Sequence, residues 1–282
     1  MTRLSEIQAH IDSMGELRDI IGAMRSLAGM RLQETQNSLP AVRRYAEAMA
    51  TALASTLPLM SEPAPERPSD HERRALILCA AEHGFVGGFN ERLVGAAEDA
   101  LAPQDALFVL GTRGAALMLE RGRQATWARP MATRTTGAPE IVRRLSIELY
   151  ARIARGEISR VEAMFARYRQ GGAPAVERRL LLPLDLTLLS ARRPRHPPLH
   201  NLEPIALHET LMAEHVFALL TEAAIESIAS ENAARFAAMG SAYDNVSKKL
   251  DELRQAEGEA RQTEITTELL DIITGSDALG ER

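Results

Sequence analysis

Apolar residues recur at helical spacing at both ends of the chain. In the C-terminal part they alternate at intervals of three and four residues, the pattern of a left-handed coiled coil. That stripe consists of Phe236, Met239, Tyr243, Val246, Leu250 and Leu253, and it resumes at Ile265, Leu269 and Ile272. The N-terminal stripe consists of Leu4, Ile7, Ile11, Met14, Leu17, Ile21, Met24 and Ala28. One-sided helices are stable only when they bury their apolar faces, so we expect the two ends to form a long antiparallel coiled coil.

The distribution of proline supports two long helices. All 14 prolines lie between Pro40 and Pro204, so neither end contains a residue that interrupts the helical hydrogen bonds. At about 1.5 Å per residue, the C-terminal segment alone could reach roughly 110 Å. Two ordinary core helices of a large bundle are the alternative interpretation.

The middle of the chain has the pattern of an α/β domain. A continuous apolar run at 75–80 predicts a buried first strand, and further apolar runs and a Gly-containing hairpin predict four more. The predicted later strands are 106–110, 125–128, 161–168 and 177–182, and the predicted helices are 90–102, 115–121 and 140–155. Strands that alternate with helices favour a mixed, mostly parallel sheet of about five strands.

Two proline-rich, charged segments bracket this middle region, as linkers do. They divide the chain into five predicted parts. These are an N-terminal coiled-coil helix 1–57, a linker 58–70, the α/β domain 71–190, a linker 191–204 and a C-terminal coiled-coil helix 205–282.

Composition narrows the function classes. A net charge of −5 and a pI near 5.9 give no reason to expect nucleic acid as the main partner. No apolar run approaches the roughly 18 residues of a membrane span, and Glu6, Asp12 and Glu16 do not fit a signal peptide. The single cysteine, Cys79, lies in the first predicted strand and fits a buried thiol in a reducing compartment.

The glycines at 84–90 are the one candidate for a ligand loop. They follow the first strand and precede a helix, which is where a phosphate-binding loop lies. The sequence Gly-Phe-Val-Gly-Gly-Phe-Asn matches neither G-x-G-x-x-G nor the Walker pattern. A structural turn is therefore favoured over a nucleotide site. No catalytic, metal or cofactor constellation can be assigned to the seven histidines or to any other residues.

Three stretches carry a resemblance to a known family. Residues 20–28 read Ile-Ile-Gly-Ala-Met-Arg-Ser-Leu-Ala, and residues 84–90 form the glycine loop. The C-terminal helix contains Ser-Glu-Asn-Ala-Ala-Arg at 230–235, Asp-Asn at 244–245 and Ala-Arg-Gln-Thr-Glu-Ile-Thr-Thr-Glu-Leu at 260–269. In this order the motifs resemble the gamma subunit of F-type ATP synthases along essentially the whole chain. Gly22 in place of a usual Lys, and Phe85 and Val86 in place of Leu-Cys, mark a divergent bacterial member.

The resemblance implies a rotor without catalytic activity of its own. In that family the coiled coil of one gamma subunit turns inside a hexamer of three alpha and three beta subunits. The hexamer carries out ATP synthesis or hydrolysis. The α/β domain contacts the epsilon subunit and the membrane c-ring, which is driven by ions. The resemblance also implies that the subunit is peripheral, on the cytoplasmic face of the bacterial inner membrane, as part of the ATP synthase complex. No cofactor and no nucleic acid are implied.

Matching motif positions also implies contacts with the alpha/beta hexamer. They fall on Met24, Arg235, Arg261, Gln262, Thr266 and Glu268. Solvated faces of a coiled coil are the alternative interpretation of these residues. Two other functions stay open from the residues alone: a soluble α/β nucleotide-binding enzyme dimerised by its terminal helices, and a coiled-coil adaptor.

Overall fold

The computed structural model describes residues 3–59, 74–169, 172, 174–184 and 199–280, without the side chains of 271 and 273–280. The chain divides into two compact units, residues 1–27 with 236–282 and residues 28–235. The helices are α1 (Arg3–Thr56), α2 (Phe89–Ala100), α3 (Thr112–Glu120), α4 (Ala138–Ala154) and α5 (Pro204–Gly280). The strands are β1 (Arg74–Cys79), β2 (Ala106–Leu110), β3 (Trp127–Arg129), β4 (Arg160–Arg167) and β5 (Ala175–Leu182).

Proline has a different role in each of the two long helices. Pro204 is the first residue of α5, where its missing N–H is not needed. The Glu203 carboxylate caps this end by accepting hydrogen bonds from the N–H groups of Ile205 and Ala206 at 3.0 and 3.1 Å. Pro40 lies inside α1, where a proline costs about 3 kcal/mol. The neighbouring Leu39 is buried in the main core, so tertiary packing offsets that cost.

The sheet confirms the predicted mixed topology. Its strand order is β3-β2-β1-β4-β5. β1 is parallel to both β2 and β4, β3 is parallel to β2, and β5 is antiparallel to β4. One face of the sheet packs against α4 and α5, and the other face packs against α2 and α3.

In the unit formed by residues 1–27 and 236–282, the helices are antiparallel, as predicted. Gln8 donates a hydrogen bond to Glu257 at 3.1 Å. Arg25, further along α1, lies over the ring of Phe236, which is earlier in α5, at 5.1 Å. The buried side chains of this seam are Ile21, Met239 and Leu250.

One part of the predicted stripe is wrong. Ile265, Leu269 and Ile272 are 51%, 55% and 68% exposed, and Leu17 is also exposed. The half-buried positions of α5 continue instead at Glu257, Ala260 and Glu264. The physical reason is the register of the covered face: Arg3 and Leu4 of α1 border a groove with Ala260 and Glu264 of α5. Successive helix residues are turned by about 100°, so Ile265, which follows Glu264, lies outside that face.

In the unit formed by residues 28–235, α5 is enclosed. Every residue from 220 to 232 is buried, because the sheet packs on one side of the helix and α1 on another. The side chains that pack into the core are Val216, Leu220, Ala223, Ala224, Ile225, Ile228 and Ala229. The same stretch also buries polar side chains, and these need partners.

Candidate functional site

The strand order defines where a ligand would bind in this fold. In an open α/β sheet, the crevice lies at the carboxyl ends of neighbouring strands whose connecting helices lie on opposite faces. Here those strands are β1 and β4, since α2 follows β1 on one face and α4 precedes β4 on the other. We call this position the switch-point crevice.

The chain's own helix α5 fills the switch-point crevice. The Ser227 hydroxyl donates to the carbonyl of Cys79, the last residue of β1, at 2.5 Å. The Ser230 hydroxyl donates to the carbonyl of Ala166, near the end of β4, at 2.8 Å. Both serines are buried. A nucleotide-binding site at this position, as in the enzyme alternative, would require α5 to leave.

One turn further along α5, an ion pair binds the loop that follows β1. The Arg235 guanidinium contacts the Glu231 carboxylate at 2.6 Å and donates to the carbonyls of His83 and Gly84, each at 3.3 Å. Glu231 in turn accepts from the backbone N–H of Glu82 at 3.4 Å. Burial raises the pKa of Glu231, and the Arg235 charge opposes that shift without cancelling it.

Glu82 joins the loops at the ends of three strands. Its carboxylate accepts from the backbone N–H and the hydroxyl of Thr112, at 3.0 and 2.7 Å, and from the backbone N–H of Met131 at 2.8 Å. Burial alone would raise the pKa of Glu82, but the hydrogen bonds from Thr112 and Met131 outweigh it and lower the pKa.

The glycine loop is held as a structural turn. Phe85 and Gly87 have positive φ angles of 60° and 55°. The Asn90 side-chain oxygen accepts from the backbone N–H of Ala81 at 3.0 Å and closes the loop. Phe85 itself is exposed. In the described part of the chain, no group of three or more His, Cys, Asp or Glu side chains is arranged to hold a metal ion.

The predicted hexamer-contact residues fall into two environments. Arg261, Gln262, Thr266 and Glu268 are exposed on one stretch of α5. Within that stretch, Arg261 pairs with Glu257 at 2.6 Å, and the Thr266 hydroxyl donates to the Gln262 carbonyl at 2.8 Å. Met24 is half-buried on α1. Arg235 lies apart from them in sequence and is 6% exposed, so its guanidinium is occupied within the chain. Its contact with the hexamer stays a prediction.

The sequence did not assign Ser227, Glu82 or Glu231 to a site. One signal was present: α5 carries glutamates and serines at 222, 226, 227, 230 and 231 within a stretch of otherwise small and apolar residues. A polar side chain inside a helix that is buried all round must have a partner. Periodicity alone does not identify the backbone carbonyls that accept from the serines or the backbone N–H groups that donate to the glutamates.

The chain matches a known protein family along nearly its whole length. A family model described as ATP synthase matches residues 3–279. The ATP synthase gamma chain of Chlorobaculum tepidum is 28% identical over 298 residues, and that of Chlorobium chlorochromatii is 27% identical over 300 residues. Each alignment covers 99% of this chain and 99% of the relative.

Solved structures share the fold. A chain of the Euglena gracilis mitochondrial ATP synthase, in a structure of OSCP, F1 and c-ring in rotational state 3, superposes with a TM-score of 0.65 at 16% identity, covering 98% of this chain and 94% of that one. A chain of the Euglena rotor gives a TM-score of 0.63 at 14% identity, covering 93% of this chain and 98% of that one. Since the family model spans nearly every residue, the chain belongs to the ATP synthase family: it is a gamma subunit, the non-catalytic rotor of the central stalk.

Proposed function

We propose that this gamma subunit is the shaft that couples ion-driven rotation of a membrane c-ring to ATP synthesis or hydrolysis on an alpha/beta hexamer. The observation that carries the mechanism is the outward apolar surface of its coiled-coil unit. On α1, Leu17, Ile20 and Leu27 are exposed, and on α5, Ile265, Leu269 and Ile272 are exposed. Exposed apolar side chains at this density indicate a covering partner.

The chemistry of that surface suits a bearing. Apolar contacts are non-directional, so a shaft covered by them can turn without breaking fixed hydrogen bonds at each step. The seam between the helices holds the shaft together from inside, through Ile21, Met239 and Leu250. Catalytic sites on the surrounding subunits would then be biased by the face of the shaft that each one meets.

Polar side chains on the same unit would make the orientation-dependent contacts. We assign these to Arg261, Gln262, Thr266 and Glu268, which are exposed, with the half-buried Met24 at the neighbouring position on α1. Arg235 would contribute from within the chain, by holding the backbone of His83 and Gly84 next to the exposed Phe85.

The remaining partners follow from the same proposal. The sheet domain would meet the epsilon subunit and the c-ring, and the subunit would be a peripheral part of the complex on the cytoplasmic face of a bacterial inner membrane. Among the described residues, no helix is both long and apolar enough to cross a membrane.

Co-expression with alpha and beta subunits from the same genome tests the assembly. We expect a single species on sizing, with three alpha and three beta subunits to one gamma, and ATP-driven rotation of a bead attached to gamma. A gamma chain that elutes alone, while alpha and beta associate without it, would contradict the proposal.

Two arginines of α5 offer a matched test of the polar contacts. Arg261 and Arg254 are similarly exposed, at 58% and 55% of their side chains, and each pairs with an acidic residue of its own helix. Arg261→Ala should lower ATP-driven ion pumping severalfold, because a charged hydrogen bond to a partner contributes about 1.5–3 kcal/mol. Arg254→Ala should leave pumping unchanged. Equal effects of the two substitutions would assign both to solvated helix faces.

A further inference from the structure

The contact between α5 and the sheet combines two kinds of interaction. Its apolar part is made of small and branched side chains, among them Ala223, Ala224 and Ala229, which are all fully buried. Small residues allow close approach, and the hydrophobic effect resists separation of the two surfaces. Such a contact fixes the position of the helix along the sheet less sharply than hydrogen bonds do, because hydrogen bonds depend steeply on distance and angle.

The polar part is directional. Ser227, Ser230, Glu231 and Arg235, which we call the switch-point lock, bond to three separate backbone segments: the end of β1, the end of β4 and the loop at 82–84. These four residues span about 12 Å along the helix axis. Displacing α5 by a single residue would misalign all of these bonds together, because hydrogen bonds weaken steeply with distance and angle.

A further buried carboxylate of α5, that of Glu226, connects the end of β4 to α1. Glu226 is 1% exposed and accepts from the backbone N–H of Tyr168, just after β4, at 3.1 Å. The same carboxylate pairs with Arg43 of α1. Within this unit, the end of β4 is therefore bonded to α5 directly and to α1 through one carboxylate.

We propose that the switch-point lock transmits torque between the sheet domain and the long helices. This rests on the proposed rotor function, in which rotation enters through the sheet domain while the catalytic hexamer surrounds the helices. A crevice that other α/β proteins use for a ligand is here used for a mechanical joint, with α5 in the position of the ligand. In that function nucleotide binds to the hexamer, so the residues of the lock are positioning residues.

The test separates hydrolysis from coupling in the assembled membrane enzyme. Ser227→Ala with Ser230→Ala removes two hydroxyl bonds without adding volume. We expect ATP hydrolysis to stay within about twofold of the unmodified enzyme, and ions pumped per ATP hydrolysed to fall by about twofold or more, since the loss of one neutral hydrogen bond shifts an equilibrium about fivefold. Glu231→Gln, which keeps the shape of the side chain, should lower the same ratio.

Ser241→Ala is the control, because the Ser241 hydroxyl is exposed and bonds only to the Ala237 carbonyl of its own helix. It should change neither quantity. Unchanged pumping in all lock variants, or hydrolysis and pumping that fall in equal proportion, would overturn the proposal. If neither the double variant nor Glu231→Gln assembles, the proposal would also be overturned, because the bonds would then be needed for folding rather than for coupling. A failure of the unmodified chain to assemble with alpha and beta subunits would instead count against the rotor function itself.

Discussion

Helix α5 has two regions that differ in how much of the helix is buried and in what contacts it. From 220 to 232 it is buried on all sides and fixed to the sheet by serine and glutamate side chains. From 236 onward it has one covered face, with Met239 and Leu250 in the seam and Ile265 and Leu269 exposed. The first arrangement fixes position, because its bonds are directional. The second leaves a surface that a partner can cover and move over.

The largest effect should come from breaking the seam. Leu250 is 1% exposed, and Leu250→Asp removes a buried apolar side chain and introduces a carboxylate without a partner. The expected cost is about 4 kcal/mol or more, measured by faster hydrogen exchange of α5 around residue 250 and by thermal unfolding. Ile265→Asp, at a residue that is 51% exposed, should leave folding unchanged and weaken only assembly with the hexamer. Equal unfolding by both would contradict the one-sided seam.

Close packing in the sheet domain should give the next largest effect. A methyl group at Gly114 would lie 2.2 Å from the Ala80 Cβ, so α3 would have to move away from β1. Gly114→Ala should therefore destabilise the chain by about 3 kcal/mol, measured by denaturant unfolding. At Gly95 in α2, the nearest atom to an added methyl group is the Arg121 Nη1 at 4.0 Å. Gly95→Ala should be neutral or stabilising, and a comparable loss there would argue against the Ala80 contact as the cause.

In the coiled coil, replacing a glycine by alanine should stabilise the chain rather than destabilise it. A methyl group at Gly22 would lie 3.5 Å from the Tyr243 ring, which is ordinary contact. Gly22→Ala should stabilise by about 0.5–1 kcal/mol through helix propensity, plus that contact. Gly15→Ala, which meets no atom within 4 Å, isolates the propensity part. Thermal unfolding of the two variants compares them, and a destabilised Gly22→Ala would mean that the helices pack more closely there than the structure shows.

The smallest effect concerns pH and the Glu82 carboxylate. Its folded pKa lies below the ordinary value of 4.5, so its contribution to stability is complete above that value and is lost as pH falls through the lowered pKa. Glu82→Gln should lower the melting temperature slightly at neutral pH, and the difference from the unmodified chain should shrink below pH 4.5. A difference that stays constant from neutral pH to acid would show that Glu82 acts through shape alone.

The sequence predicts the elements better than their partners. β2 was predicted at 106–110, where it lies, and the parallel order follows from alternation of strands and helices. β3, predicted at 125–128, is only Trp127–Arg129, because this edge strand pairs with β2 through three residues. The predicted domain limits, such as 71–190, stay predictions.

Two features of α5 could not be predicted from the pattern of apolar and polar residues. Ile265 is exposed because α1 borders the face of α5 that carries Ala260 and Glu264, and the apolar periodicity within α5 does not reveal that face. The bonds of Ser227 and Ser230 go to main-chain carbonyls, which every residue possesses, so no side-chain motif on β1 or β4 announces them. The motif identifies Arg235 as a candidate contact residue, but it does not identify the partners of Arg235 within the chain, such as the His83 carbonyl.

The burial of Cys79 has an experimental consequence. It is the only thiol of the chain, it is inaccessible, and burial raises its pKa to about 12, so the reactive thiolate is scarce at neutral pH. A cysteine placed at any exposed position, such as Ser241 or Ile272, would therefore react alone with a maleimide dye. Orientation of the chain could then be followed by polarised single-molecule fluorescence without first removing a native cysteine.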